Sequence, residues 1–292
     1  MRAVQKVCKR LVGRARGVCK KMMRPLRGAR RRWASSVRAE RVASALDELI
    51  GERKDCLMMH SSLSGCGHIV GGEDTIVKAL RGCCTTACVP THTYCYPRGP
   101  GEEAAIFDPR KTPSVVGQIT NYFFRLPGAV RSIHPSHSLA AIGPRAAMLC
   151  EAHERCDTPC GPGTPYTKLI ALDAGVLMFG ATMNTYTFFH TAEDAAGCPY
   201  LYYAEPVVLR ALDYEGRLHT FRMRRQDMSI DRRFEAMDTI LEAEGLLRRA
   251  VLGRGELLYL PSSRQVHEFL VDQLAKDPYY LLSDTGRKRV MG

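Results

Sequence analysis

The chain has 292 residues, 45% hydrophobic and 25% charged, an ordinary globular profile long enough for one large domain or two small ones. Its formal charge of +12 is concentrated: residues 1–38 hold 14 Lys or Arg and no Asp or Glu, whereas the rest carries 28 basic and 30 acidic residues, a near-neutral body behind a basic arm. No run approaches 18 apolar residues, which excludes a transmembrane helix. The start lacks an uninterrupted apolar stretch of the secretory kind, and the twelve cysteines follow no even spacing, so reduced, mostly buried thiols in a cytoplasmic protein are expected.

In the arm, Val4, Val7, Cys8, Leu11, Val12, Ala15, Val18, Cys19, Met22 and Met23 recur at i, i+3, i+4 among Lys and Arg. That spacing predicts a basic amphipathic helix ending near Pro25, suited to anionic lipid or nucleic acid, or else an extension with little structure. The body is expected from residue 39: a helix at AERVASALDELIGE, a buried strand at DCLMMH, a small-residue loop, a helix at EDTIVKALRG and a second strand at TACVPTHTY. Strand, Gly/Ser loop, helix and strand in this order predict a layered α/β fold. Further on come a helix at SVVGQITNYFFRLP, a strand at SHSLAAIG, a helix at GPRAAMLCEAHER, a loop at CDTPCGPGTPY and a buried strand at AGVLMFG. After Pro199 the chain reads as strand-rich, then as helices around 231–243 and 263–275.

Four stretches bear residues suited to chemistry. In HSSLSGCGHIVGG, 60–72, a strand end runs through Ser and Gly into a helix, which offers backbone N–H groups to a phosphate. It is neither a P-loop nor a GxGxxG fingerprint, and Glu73 and Asp74 would repel an anion there. RSIHPSHS, 131–138, packs an Arg, two His and Ser hydroxyls into eight residues; His134 and His137 are too few for a zinc site by themselves. CCTTAC and CDTPC lack paired CxxC spacing, and Cys160 is a candidate thiol nucleophile only if it meets His190. Finally, in NTYTFFHTAED a helix starting near Thr187 puts His190 and Glu193 on one face. A carboxylate beside an imidazole fixes its tautomer and raises its basicity, as a general base requires. The alternative is a surface His–Glu helix pair.

Taken together and in order, MMHSSLSGCGHIVGGEDTIVKAL, VPTHTY, FDPRKTPSVVGQITNYFFRLPGAVRSIHPSHSLAAIGPRA, PCGPGTPYTKL and VLMFGATMNTYTFFHTAED resemble the aminoglycoside 3-N-acetyltransferase (antibiotic acetyltransferase) family over roughly residues 40–200. The tail to about 275 fits more loosely, and residues 1–38 lie outside the pattern. The resemblance implies a three-layer α/β/α fold with a mixed sheet, unlike that of GNAT acetyltransferases, in a single acetyltransferase domain over 39–292. It implies acetyl-CoA as co-substrate and direct transfer to an amine of an aminoglycoside or related amino sugar in a ternary complex. His190 resembles the family's catalytic base and Glu193 its orienting partner. Ser61, Ser62 and Leu63 with Gly71 and Gly72 resemble the CoA-holding segment. Arg131, Ser132, His134, His137 and Ser138 resemble the segment lining the pantetheine and thioester. Tyr94 and Asp108 lie in segments that, by the resemblance, are expected to face the acceptor. The sequence departs from the pattern at Thr164, where Ser is more common, and at His92, where an aromatic or apolar residue is expected.

The chemistry fits: His190 would take the proton of the amine, the thioester oxygen would need donors such as the Ser hydroxyls or N–H groups of 132–138, and no cysteine would be a nucleophile. Rival readings are a metal-dependent hydrolase built on His134, His137, His190 and Glu193, a biosynthetic amine acetyltransferase, and a binding protein tethered to membrane or nucleic acid through residues 1–38. A homodimer is also kept open.

Overall fold

The computed structural model describes residues 36–292 except 98 and 100; the basic amphipathic helix expected before Pro25 lies outside them. Helix α1 (Ala39–Ile50) and strand β1 (Lys54–Ser61) fall where the apolar spacing put them. Helix α2 (Gly72–Gly82) and strand β2 (Cys84–Pro90) follow, then β3 (Ile106–Phe107), α3 (Gln118–Phe123), β4 (Val130–Arg131) and β5 (Leu139–Ile142). Next are α4 (Ala146–Cys150), α5 (Pro165–Ala171), β6 (Gly175–Phe179) and α6 (Phe188–Ala195). The remainder holds β7 (Val207–Leu212), β8 (Leu218–Met223), α7 (Met237–Ala243), β9 (Arg248–Leu252), β10 (Gly255–Leu260), α8 (Ser263–Lys276) and α9 (Asp284–Met291).

Seven strands form one mixed sheet in the order β4-β5-β2-β1-β6-β10-β9, with β2, β1 and β6 parallel at its centre and antiparallel strands on both flanks. The central strands are buried on both sides, which is why they read as apolar runs without alternation. Their side chains divide between two cores. Met58, Val176, Met178 and Leu258 pack under α4, α5, α6 and α8. Leu57, Met59, Leu177 and Phe179 pack under α1, α2 and α3. The result is three layers, α/β/α. A separate three-stranded sheet, β3-β7-β8, stands beside it.

Several expectations are corrected. The helix expected over 114–127 shrinks to α3, because its first four residues form a loop in which Asn121 clasps Ser114: its side-chain oxygen accepts from the Ser114 N–H and its amide donates to the Ser114 carbonyl. The loop expected to run to Tyr166 ends at Thr164, whose hydroxyl caps α5 ahead of Pro165; the departure from Ser keeps that capping oxygen. Val37, expected in the arm, belongs to the body: its N–H donates to the His68 carbonyl and its own carbonyl accepts from Val70. Among the described residues no helix is long and apolar enough to cross a membrane.

The three parallel strands end together at Ser61, Pro90 and Phe179, with His60 level with Met178. One close approach fixes the loop after β1. A Cβ on Gly65 would lie 2.0 Å from the Gly180 carbonyl oxygen, so only glycine lets this loop pass over the end of β6.

Candidate active site

The carboxyl ends of parallel strands at the middle of an open α/β sheet are where ligand clefts form, and a cleft of about 160 Å³ opens there. His60 and Ser61 line it from the end of β1, and Pro90, His92 and Tyr94 from the end of β2. Asn184, Thr185, Tyr186 and Thr187 supply the wall after β6, and His190 projects from the first turn of α6.

His190 Nδ1 lies 2.6 Å from Glu193 Oε2, one helical turn on. Glu193 is completely buried, so the surface-pair alternative does not describe it. Its other oxygen accepts from Arg232 Nε at 2.9 Å. Arg232 also donates to the carbonyls of Asp227 and Ile230, which fixes the guanidinium. Burial by itself would raise the Glu193 carboxyl; the His190 hydrogen bond and the charges of His190 and Arg232 outweigh it and hold Glu193 below the usual carboxylate range. An ionised carboxylate on Nδ1 leaves Nε2 as the nitrogen free to act as a base. Arg232 is the member of this chain of contacts that sequence reasoning missed. It stands 39 residues from Glu193, and nothing local to it in the sequence marks it as a partner of that carboxylate.

A second, larger cavity of about 810 Å³ lies beside the first. Ser62, Leu63, Ser64 and Gly67 of the loop after β1 line one wall, and Val115, Gly117 and Ile119 around the start of α3 line the other, with Arg254 at its edge. Ser61 and Val116 line both cavities. They mark the place where the two cavities meet. The Ser61 hydroxyl there is buried and has no protein partner.

The expected donor and acceptor residues separate accordingly. Ser61, Ser62 and Leu63 line the long cavity and Tyr94 lines the His190 cleft, whereas Gly71 and Gly72 line neither. Both have positive φ (82° and 55°) and turn the chain into α2, a backbone role. Asp108 is also outside the cleft: its carboxylate accepts from the Arg110 N–H and closes its own turn.

The 131–138 segment lies mostly outside the lining of the two cavities. Arg131, Ser132, His134 and Ser138 are buried, with 2%, 0%, 0% and 0% exposure, and their polar groups face inward. Arg131 donates to the Thr91 and Thr112 carbonyls at 2.7 and 2.6 Å and lies over the rings of Phe107 and Phe124; burial lowers its guanidinium to about 10. Ser132 bonds His153 Nδ1 at 2.9 Å, Ser138 donates to the Thr91 carbonyl at 2.7 Å, and His134 Nδ1 accepts from the His137 N–H at 3.0 Å. The Ser132 N–H donates to the Leu139 carbonyl and the His134 N–H to the Ser132 carbonyl. The segment also grips residues 91–95 through Thr91, Thr93 and Cys95 and so holds His92 and Tyr94 at the cleft. Of its histidines only His137 reaches the lining.

His92 is a working member of that wall. Its Nε2 is 2.9 Å from the Tyr166 hydroxyl and its Nδ1 3.2 Å from that of Tyr94. Cys160 is wholly buried and outside the cleft, and burial raises its thiol far above the ordinary value, which removes it as a partner for His190. Among the described residues no group of three or more His, Cys, Asp or Glu is arranged to hold a metal ion.

Burial lowers His60, His92 and His153 to about 3 and lowers His134 and His137 well below the ordinary value near 6.5. All five stay neutral in the fold while the unfolded chain protonates them below about 6.5. Stability is therefore full above that pH and falls as the pH drops toward about 3, by up to about 1.4 kcal/mol per pH unit for each histidine. Glu193, with its lowered value, adds a loss only further down. The urea midpoint should be clearly lower at pH 5 than at pH 7.5; equal midpoints would contradict neutral burial of these rings.

Comparison with known proteins agrees with this architecture. The family profile described as aminoglycoside 3-N-acetyltransferase matches residues 58–275. Aminoglycoside N(3)-acetyltransferase III from Salmonella sp is 31% identical over 271 residues, 80% of this chain and 90% of the relative. The crystal structure of aminoglycoside acetyltransferase AAC(3)-Xa superposes with a TM-score of 0.75 at 27% identity, covering 87% of this chain and 97% of that one. A variant of aminoglycoside acetyltransferase AAC(3)-IVa in complex with gentamicin gives 0.73 at 25% identity, covering 87% and 94%. With its three-layer mixed sheet and its profile match across most of the body, the chain belongs to the aminoglycoside 3-N-acetyltransferase family.

Proposed function

We propose that the protein transfers an acetyl group from acetyl-CoA to an amine of an aminoglycoside or related amino sugar, with His190 as general base. The observation that carries this reading is the junction at Ser61, where a long channel suited to the pantetheine arm opens beside His190, a cleft-lining histidine with a carboxylate on its ring. Apolar Leu63, Val115 and Ile119 suit the arm, and Arg254 adds positive charge near the phosphates. The gentamicin-bound relative supports an amine acceptor.

In this mechanism the acceptor enters as an ammonium and gives a proton to His190 Nε2, directly or through water. The freed nitrogen attacks the thioester carbonyl carbon while Glu193, held in place by Arg232, stabilises the imidazolium. The carbon–sulfur bond breaks, the surplus proton of the attacking nitrogen passes to the departing sulfur so that CoA leaves as the thiol, His190 gives up its proton to solvent, and no covalent enzyme intermediate forms. Oxygen becomes negative during attack, and a preorganised donor lowers that barrier. We assign that donor to the Ser61 hydroxyl, which has no protein partner and stands where the two cavities meet. Ser61→Ala should lower kcat by about 10²- to 10³-fold while CoA still binds, and Ser61→Thr should recover part of the loss. Unchanged kcat in the alanine variant would remove Ser61 from the chemistry.

The test of the function is thiol release from acetyl-CoA against a panel of aminoglycosides and simple amino sugars. Release with an aminoglycoside establishes that acceptor; CoA-induced thermal stabilisation without release redirects the search to biosynthetic amines; absence of both release and stabilisation would overturn the reading. A need for acetyl-CoA favours a cytoplasmic location. Residues 1–38, with their uniform positive charge, are proposed to attach this activity to an anionic surface, which co-sedimentation of full-length and arm-deleted protein with anionic vesicles would test.

A further inference from the structure

The His190 cleft is built from neutral groups. Among the described residues lining it there is no Asp, Glu, Lys or Arg, and its histidines other than His190 are held neutral by burial. Glu193, directly beneath, has both oxygens engaged by His190 and Arg232. A second ammonium drawn into this cleft would lose its hydration and find no carboxylate in exchange.

The cleft does contain orphaned polar atoms. His60 Nε2 and the Tyr186 hydroxyl are buried without a protein partner, on side chains only 2% and 1% exposed, with ring centroids 6.2 Å apart. Burial keeps the Tyr186 phenol protonated, so it can both donate and accept, and a neutral imidazole nitrogen does one or the other according to its tautomer. Buried polar atoms without partners are costly, and a ligand hydroxyl that pairs them recovers that cost. A ligand carrying only carbon at the same place does not.

We propose that His60 and Tyr186 form a hydroxyl-reading subsite, which selects an amine flanked by ring hydroxyls and ranks acceptors by hydroxyl pattern rather than by number of positive charges. The proposal rests on the N-acetyltransferase reading above and narrows its acceptor. The reacting amine sits by His190, its neighbouring hydroxyls meet Tyr186 and His60, and any further ammonium groups remain outside in water.

The test uses the full chain at saturating acetyl-CoA, with thiol release measured for three probes. Glucosamine has one amine and ring hydroxyls, cyclohexylamine has one amine and none, and neamine has several amines. Glucosamine should exceed cyclohexylamine in kcat/KM by at least about 100-fold. The acceptor KM should change by less than about twofold between about 0.05 and 0.3 M salt, since no ion pair is being screened. Tyr186→Phe should lower glucosamine efficiency about 10- to 100-fold, mostly through KM, with a Tm no lower than the parent because the oxygen removed has no partner in the fold. Comparable use of cyclohexylamine would overturn the proposal, as would a preference for neamine that collapses with added salt. A thermal shift with CoA but no release from any probe would overturn the subsite and leave the donor assignment standing. Absence of both the shift and the release would instead sink the acetyltransferase reading on which the subsite depends.

Discussion

Replacing His190 with alanine is expected to lower kcat by about 10²- to 10⁴-fold, the range a positioned general base supplies, with CoA affinity and Tm close to those of the parent. The physical reason is that an alkylamine is almost wholly protonated at neutral pH and cannot attack a thioester until a base takes its proton. His190 is placed for this by α6, whose first turn points it into the cleft while its second turn carries Glu193 back against Nδ1. Because His190 lies on the cleft wall and outside the long channel, its loss leaves the channel proposed for CoA in place. The measurement is a pair: steady-state rates with the best acceptor, and CoA binding by calorimetry. A variant that bound CoA and kept parental turnover would remove His190 as base; one that lost CoA binding would show that the two cavities are not separable.

Truncating Glu193 is expected to have the largest effect on stability. Glu193→Ala strands the buried Arg232, whose guanidinium then faces the core with its carboxylate gone, and breaking a buried pair in this way costs about 3–5 kcal/mol. Arg232→Ala strands Glu193 in turn, although His190 can still compensate part of its charge. Removing both charges together, as Glu193→Leu with Arg232→Met, should recover most of the stability while leaving activity low, since the imidazole then has no carboxylate to fix its tautomer. Urea unfolding of the three variants separates the effects. Equal midpoints for parent and Glu193→Ala would mean that the pair contributes nothing to the fold, and full activity in the double variant would mean that Glu193 does not orient the base.

How much of this was readable beforehand differs by element. Strands β1 and β6 and helices α1, α2 and α8 were legible because their burial is periodic or continuous over eight or so residues, and local pattern is what decides such elements. The hairpin β9–β10 and helix α9 were not read. Their burial comes from pairing with β6 and from packing against segments far away in the chain, which no local period announces. The His190–Glu193 pair was legible because three residues in a helix fix one geometry.

Within the site, sequence by itself determined the basic arm, the layered α/β order, the candidate base with its carboxylate, and, through the order of its motifs, the resemblance to a family of acetyltransferases. Only the tertiary structure decided what each polar residue faces. Arg131, Ser132, His134 and Ser138 looked like ligand-lining groups because polar residues in a loop are usually solvated; here the packing of 91–95 against 135–138 buries them and turns their hydrogen bonds inward. Arg232, His60 and Tyr186 gave no signal, since a residue's meaning at a cleft depends on which distant strand ends and helix turns arrive beside it. Chemistry types can be read along the chain, but exposure and partnership are properties of the folded neighbourhood, set by contacts between residues as far apart in sequence as Glu193 and Arg232.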